Sequence, residues 1–211
     1  MKVSLERYTP APDEICGEAA AVCYQAKNPE KSLQHTMKSG HESVLEHAVF
    51  TFRIEGVSRV LLAQLTRHRI ASFSVASQRY IQQNTTPIFI PPTIQGKMRE
   101  RAVALADSAQ KLYSQMLDEG IKPEDARYIL PQGITTTLYL TMNARELRHF
   151  FKLRCCHRAQ KEIQVLADLM LRLCKRNAPL LFAKAGPGCV CDRCKEEKPC
   201  GHPRQEGEWD E

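Results

Sequence analysis

The chain has 211 residues, 43% of them hydrophobic and 26% charged, with a net charge of +6, the balance of one globular domain rather than a fibrous or disordered chain. No apolar run reaches the ~18 residues that a bilayer span needs, and MKVSLERYTPAPDE at the start lacks the apolar centre of a signal peptide, so a cytoplasmic protein with no membrane partner is expected. From Cys189 onward four Lys/Arg stand against seven Asp/Glu, which leaves residues 1–188 at +9, a basic body suited to a nucleotide, a phosphate cofactor or nucleic acid.

Residues 12–25 read as a helix, with Pro12 in its first turn and Asp13-Glu14 just behind. Residues 30–39 make a second helix, stopped at Gly40. In AVFTFRIEG, Phe50, Phe52 and Ile54 alternate with Thr51, Arg53 and Glu55, the pattern of a half-buried strand. From Val57 the period turns helical: Val57, Val60, Leu61 and Leu65 form an apolar stripe, while Gln64 and Arg67 share another face. The chain leaves this helix through RHRIASFSVASQRY (67–80), and NTTPIFIPPT beyond it holds too much proline for a helix.

Residues 97–119 are predicted to form a long amphipathic helix stopped by Gly120, and Pro123 opens a short one carrying Arg127. ITTTLYLTM reads as a strand, with a buried helix as the alternative. Asn143-Ala-Arg-Glu146 has the form of a capping box, and the helix it opens sets Asn143, Leu147, Phe150, Phe151 and Arg154 on roughly one face. A last helix covers about 158–177, and the tail from Gly186 is loop-like. The expected architecture is α+β: a helix-rich single domain over residues 1–185 with an antiparallel sheet, then a Cys-rich tail, 186–211.

The stretch 67–80 concentrates three arginines, a histidine and three serines without a single Lys or Glu. Guanidinium forks and hydroxyls suit anionic oxygen, so Arg67, Arg69, Ser77 and Arg79 read as an oxyanion clamp; a solvated turn and a nucleic-acid patch are the alternatives on spacing alone. Arg67-His68-Arg69 followed after seven residues by Ser77 resembles the signature of the flavin-dependent thymidylate synthases. Three more segments resemble that family in the same order: GHESVLEHAVFTF (40–52), ARYILP (126–131) and NARELRHFFKLRCCHRAQKEIQ (143–164).

The resemblance implies FAD as cofactor, contacted by Ser43, Arg67, His68, Arg69, Val75, Asn143, Arg145 and His149. It implies dUMP as substrate, contacted by Gln64, Arg67, Val75, Ala76, Ser77, Gln78, Arg79, Arg127 and Arg154, with Arg154 on the uracil favouring ionisation of its N3. It further implies methylenetetrahydrofolate as carbon donor, NADPH as reductant of the flavin, and a homotetramer with active sites at subunit junctions. His41 is placed near flavin or folate. The chain departs from the pattern at two places. Ser74-Val75 stands where the family often has Asn-Glu, so Val75 can contribute only its backbone, and His149 stands where some relatives have asparagine.

A flavin that delivers hydride to the pyrimidine needs no covalent side chain. That agrees with the thiols: Cys155, Cys156 and His157 are adjacent on a helix, point ~100° apart and form no dyad, and Ser77 has no evident His-Asp partner. Nine cysteines in a chain without a secretory signal read as thiols or metal ligands. Cys189, Cys191, Cys194 and Cys200, with His202 nearby, could hold zinc in the tail, a tail whose removal catalysis is expected to survive. The rival function is a basic nucleic-acid-binding protein with a zinc-binding tail, but its arginines lie in three segments rather than one stripe, and stacking signatures are missing.

Overall fold

The chain opens with a strand, β1 (Lys2–Tyr8), two helices, α1 (Pro12–Tyr24) and α2 (Pro29–Lys38), a 3-10 turn (Glu42–His47) and strand β2 (Val49–Ser58), in a computed structural model that describes residues 1–209. Helix α3 (Arg59–Leu65) leads to strand β3 (Ala71–Val75), and helices α4 (Gly96–Asp118) and α5 (Pro123–Ala126) precede strand β4 (Thr135–Asn143). Helices α6 (Ala144–Arg154), α7 (Lys161–Asn177), α8 (Pro179–Phe182) and α9 (Gly188–Cys191) follow.

The four strands form one antiparallel sheet in the order β1-β2-β4-β3, so the class is α+β as expected. β2 buries Phe50, Phe52 and Ile54, and β4 buries Thr136, Leu138, Leu140 and Met142, every second residue in each case. That periodicity makes ITTTLYLTM a strand rather than a helix. Three boundaries differ from expectation. α3 starts at Arg59 because Val57 and Ser58 finish β2, and the Ser58 hydroxyl caps the helix by accepting from Leu61 N at 3.0 Å. β1 was unexpected; its short, mostly half-exposed run KVSLERY carries little alternation. Within the arginine stretch β3 appears, with Ala71, Phe73 and Val75 half-buried and Ser72 and Ser74 exposed.

The chain clusters into two compact units. One comprises Met1–Lys2, Ile54–Arg67 and Ser74–Leu138; the other comprises Val3–Arg53, His68–Phe73 and the described residues from Tyr139 onward. In the first, α4 turns Tyr113 inward, and the Gln110 amide donates to Thr86 O at 2.5 Å, holding the proline-rich loop. Gly133 is required there, because a Cβ would lie 2.5 Å from the Phe89 carbonyl oxygen.

In the second unit, α6 packs on α7 through Leu147, Phe150 and Phe151 on one side and Ile163, Leu166 and Met170 on the other, all fully buried. A run of ring contacts threads this core: Tyr8–Phe50 (6.1 Å between centroids), Phe50–Phe182 (5.4 Å), Phe182–Phe151 (5.9 Å), Phe151–Phe150 (5.7 Å) and Phe150–His68 (5.0 Å). Most are edge-to-face, the arrangement ring quadrupoles favour. Asp13 of α1 closes the start of α8, accepting from the amides of Leu180 and Leu181 at 2.9 Å each.

The tail is loop-like apart from the single turn of α9, but it is docked. Trp209 is 1% exposed and donates its indole N–H to Asp168 Oδ1 at 2.9 Å. Arg204 reaches both oxygens of Asp168 at 2.8 Å, donates to Cys155 O at 3.1 Å, and lies 4.4 Å over the Trp209 ring. One carboxylate on α7 therefore docks Arg204 and Trp209 of the tail. Truncating that anchor by Trp209→Ala should destabilise the protein by about 3 kcal/mol, the usual cost of emptying a buried aromatic site; a denaturant midpoint unchanged from wild type would show that the tail is not docked in solution.

Candidate active site

His68 is the one member of the RHR triplet that points inward, its side chain only 4% exposed. Its Nδ1 lies 3.1 Å from Oε1 of Glu146, a side chain 9% exposed on the first turn of α6, and its Nε2 lies 3.2 Å from Nε of Arg154 at the end of the same helix. Arginine has no acceptor, so Arg154 donates and Nε2 must present a lone pair. The ring proton then sits on Nδ1 and is donated to Glu146. Burial lowers the pKa of His68, as do the nearby Arg154 and His149, while Glu146 pulls it up; the net direction is down, which keeps the ring neutral. Helix α6 delivers both partners because Asn143 caps it, accepting from Glu146 N at 2.9 Å. The reciprocal half of the expected capping box is not made. The Glu146 carboxylate goes to His68 instead.

Of the other residues expected at a flavin, Ser43, Arg69, Asn143, Arg145 and His149 belong to the same unit as His68, whereas Arg67 and Val75 belong to the other. Ser43 is exposed on the 3-10 turn, Arg69 is exposed beside His68, and His149 is exposed on α6 with its ring 6.0 Å from that of His68. The turn is fixed to α6 by Arg145 Nη1 to Glu46 at 2.6 Å and by Arg148 to Glu42 at 3.8 Å. The ion pair raises the Arg145 pKa, with the hydrogen bond to Glu46 as the main cause. His41 is tied to Tyr24, its Nδ1 2.7 Å from the phenol oxygen. Arg154 also lines a cavity of about 790 Å³ whose far wall is the tail, including Cys189, Arg193, Cys194 and Cys200.

The residues expected at the nucleotide fall mostly in the other unit. Gln64 is half-buried on α3 and Arg67 exposed just beyond it. The Ala76 amide is taken by Thr137 O at 2.9 Å, and the Ser77 hydroxyl accepts from Arg79 N at 3.1 Å, a local turn. Arg79 pairs with Glu124 at 2.9 Å, and Arg127 Nε donates to Glu124 O at 3.0 Å, so α5 holds both arginines. Gln78, Arg127 and Arg59 line a cavity of about 400 Å³. Arg59 escaped the sequence reading, because a single arginine at a strand-to-helix junction carries no motif. Its Nη1 is buried with no hydrogen-bond partner among the described residues, and burial, with Arg127 second, lowers its pKa. Two guanidiniums sharing a cavity without a carboxylate make a place for an anion.

Known proteins resemble this chain over most of its length. The model of the family described as thymidylate synthase complementing protein matches residues 4–180. A flavin-dependent thymidylate synthase of Geobacter sulfurreducens is 43% identical, over 93% of this chain and 91% of that protein, and one of Pyrococcus abyssi is 44% identical, over 90% and 87%. Among solved structures, a flavin-dependent thymidylate synthase from Helicobacter pylori, complexed with FAD and dUMP, superposes with a TM-score of 0.73 at 30% identity, over 88% of this chain and all of that one. The nucleic-acid reading finds no support among these relatives.

The zinc expectation is corrected by the structure. Among the described residues no three His, Cys, Asp or Glu side chains gather to hold a metal. Cys189 and Cys191 sit on the single turn of α9, where residues two apart point about 200° from one another, Cys194 is exposed, and the Cys200 sulfur is engaged by the backbone of His202 at 3.3 and 3.4 Å. Nor is there an activated thiol at 155: burial, and then Asp168, push Cys155 far above the ordinary range, while burial raises Cys16 to about 11 and Cys174 well up. Alkylation of the native protein near neutral pH should therefore label the exposed Cys23, Cys194 and Cys200 and spare Cys16, Cys155 and Cys174 until denaturant is added; mass spectrometry finding Cys155 modified first would contradict this.

Proposed function

The chain belongs to the flavin-dependent thymidylate synthases, and on that premise we propose that it converts dUMP to dTMP by reductive methylation, taking the carbon from methylenetetrahydrofolate and reducing equivalents from NADPH. What carries this reading is the likeness, over nearly the whole chain, to synthases of which one is complexed with FAD and dUMP. The donor set fits a flavin dinucleotide. Ser43, Arg67, Arg69 and His149 have exposed side chains with no hydrogen-bond partner among the described residues, and two of them are guanidiniums matched to a diphosphate. Asn143 and Arg145 precede His149 at the start of α6. With both ring nitrogens occupied, His68 can offer a flavin only its backbone or ring edge.

When bound, reduced FAD supplies the hydride that completes the methyl group. The chain's own residues then bind and polarise the pyrimidine nucleotide. Gln78, Ser77 and Arg127 suit the phosphate, and the unpartnered Arg59 lines the same cavity as Arg127 and Gln78. Gln64 and Arg67 add polar contacts, Val75 and Ala76 offer backbone, and Arg79 approaches the nucleotide already braced by Glu124. Arg154, oriented by His68, takes the uracil and stabilises negative charge developing on the ring, while hydride delivered by the flavin leaves no need for a cysteine nucleophile. The assembly is a homotetramer with active sites at subunit junctions, as the family resemblance implies.

Visible spectra of the purified protein with FAD, before and after dUMP, test this reading: flavin bands should shift on adding dUMP, and a protein indifferent to both ligands would refute it. Arg154→Ala should lower kcat by about 10²–10³, the loss of one preorganised donor to a developing anion, with flavin content unchanged; turnover near wild type would remove Arg154 from the chemistry.

A further inference from the structure

Glu146 has no assigned part in binding or chemistry, yet it is a carboxylate in a place where carboxylates are rare. Its side chain is 9% exposed, and its one side-chain hydrogen bond among the described residues is to His68. Burying that charge is costly unless something compensates, and the compensation arrives through a neutral ring: Glu146 accepts from Nδ1–H, and Nε2 accepts from Arg154. We propose that Glu146 is a positioning residue for the synthase reaction, selecting the His68 tautomer that lets the ring hold the guanidinium of Arg154 in the orientation that meets the uracil. This rests on the reading that Arg154 contacts the uracil.

The reasoning is one of donors and acceptors. An imidazole carries its proton on either nitrogen, and the Nε2–H tautomer would set N–H against the N–H of Arg154. A carboxylate has only acceptors, so opposite Nδ1 it accepts one tautomer and rejects the other. Glu146 is itself placed by the α6 backbone, whose amide at 146 is fixed to the Asn143 side chain at 2.9 Å. The groups facing His68 are Glu146, Arg154 and His149, with the Phe150 ring beneath at 5.0 Å. Protonation of His68 would turn Nε2 into a donor and add a positive charge beside Arg154, breaking the hold. The hold therefore exists above the pKa of His68 and fails as pH falls through it. Since Glu146 alone of the facing charges raises that pKa, removing its charge must shift the failure to lower pH.

The test uses the flavin-loaded enzyme and three variants, with dUMP affinity read from the flavin spectrum and kcat and KM measured across the acid range. Glu146→Gln keeps an acceptor for Nδ1–H without the charge. It should bind dUMP within about threefold of wild type near neutral pH, with its acid limb displaced to lower pH. Glu146→Ala leaves the tautomer unselected and should weaken dUMP binding about tenfold or more, the size of one charge-assisted hydrogen bond, with flavin content preserved. Rescue by glutamine together with the displaced limb supports the proposal. An acid limb unmoved in Glu146→Gln overturns it, and does so even if Glu146→Ala fails to fold. Unchanged dUMP binding in Glu146→Ala while Arg154→Ala is inactive also overturns it, leaving Arg154 in place. A fully active Arg154→Ala would instead remove the reading beneath it.

Discussion

The hydrogen bond between His68 Nδ1 and Glu146, 3.1 Å long and out of water, is the contact on which the surrounding architecture turns. It joins the arginine triplet, which lies between α3 and β3, to a helix that starts 75 residues later in the chain, and it sits at the end of a row of rings that begins at Tyr8. Such a bond is worth little when both partners can reach water, and much more when neither can. Because the rings around His68 exclude water, its protonation and tautomer are decided by two neighbours rather than by solvent. Arg154 gains a fixed acceptor by the same arrangement.

The charge distribution follows a division of labour. In one unit, Arg59 and Arg127 line a cavity with Gln78, and burial first and Arg127 second disfavour the charge of Arg59, a penalty that an anionic ligand would relieve. In the other, the positive charge of Arg154 is balanced through His68 by Glu146. Residues 1–188 together carry a net charge of +9. Part of it has fixed neighbours: a carboxylate oxygen for Arg79, a backbone oxygen for Arg127, an imidazole for Arg154.

The cysteine-rich tail shows how composition misleads when geometry is missing. Cys189, Cys191, Cys194 and Cys200 have ligand-like spacing, but a single helical turn splays the first two apart, and the tail is fastened by other means. Asp168, an acid on α7, accepts from Arg204 and Trp209 at once and makes Trp209 part of the core. In doing so it walls the cavity that Arg154 lines.

Local periodicity was enough to read β2, β4 and the bodies of α1, α2, α4, α6 and α7, because amphipathic period is written residue by residue. The Asn143 cap was legible for the same reason: donor and acceptor lie three residues apart. The arginine signature with its serine was legible as a resemblance, and it carried the family. β1 was not legible, since an edge strand buries little and so shows little pattern, and β3 was hidden behind the polar residues that surround it. No sequence spacing could reveal that Glu146 abandons its capping box for His68, that Arg59 shares a cavity with Arg127, or that Trp209 is held by Asp168. Those partners stand 78, 68 and 41 positions apart. The sequence by itself determined most of the elements and the family, because both are recorded in short-range order; the tertiary structure alone decided the tautomer, the pairing of each arginine and the docking of the tail, because those depend on which distant groups share a volume from which water is excluded.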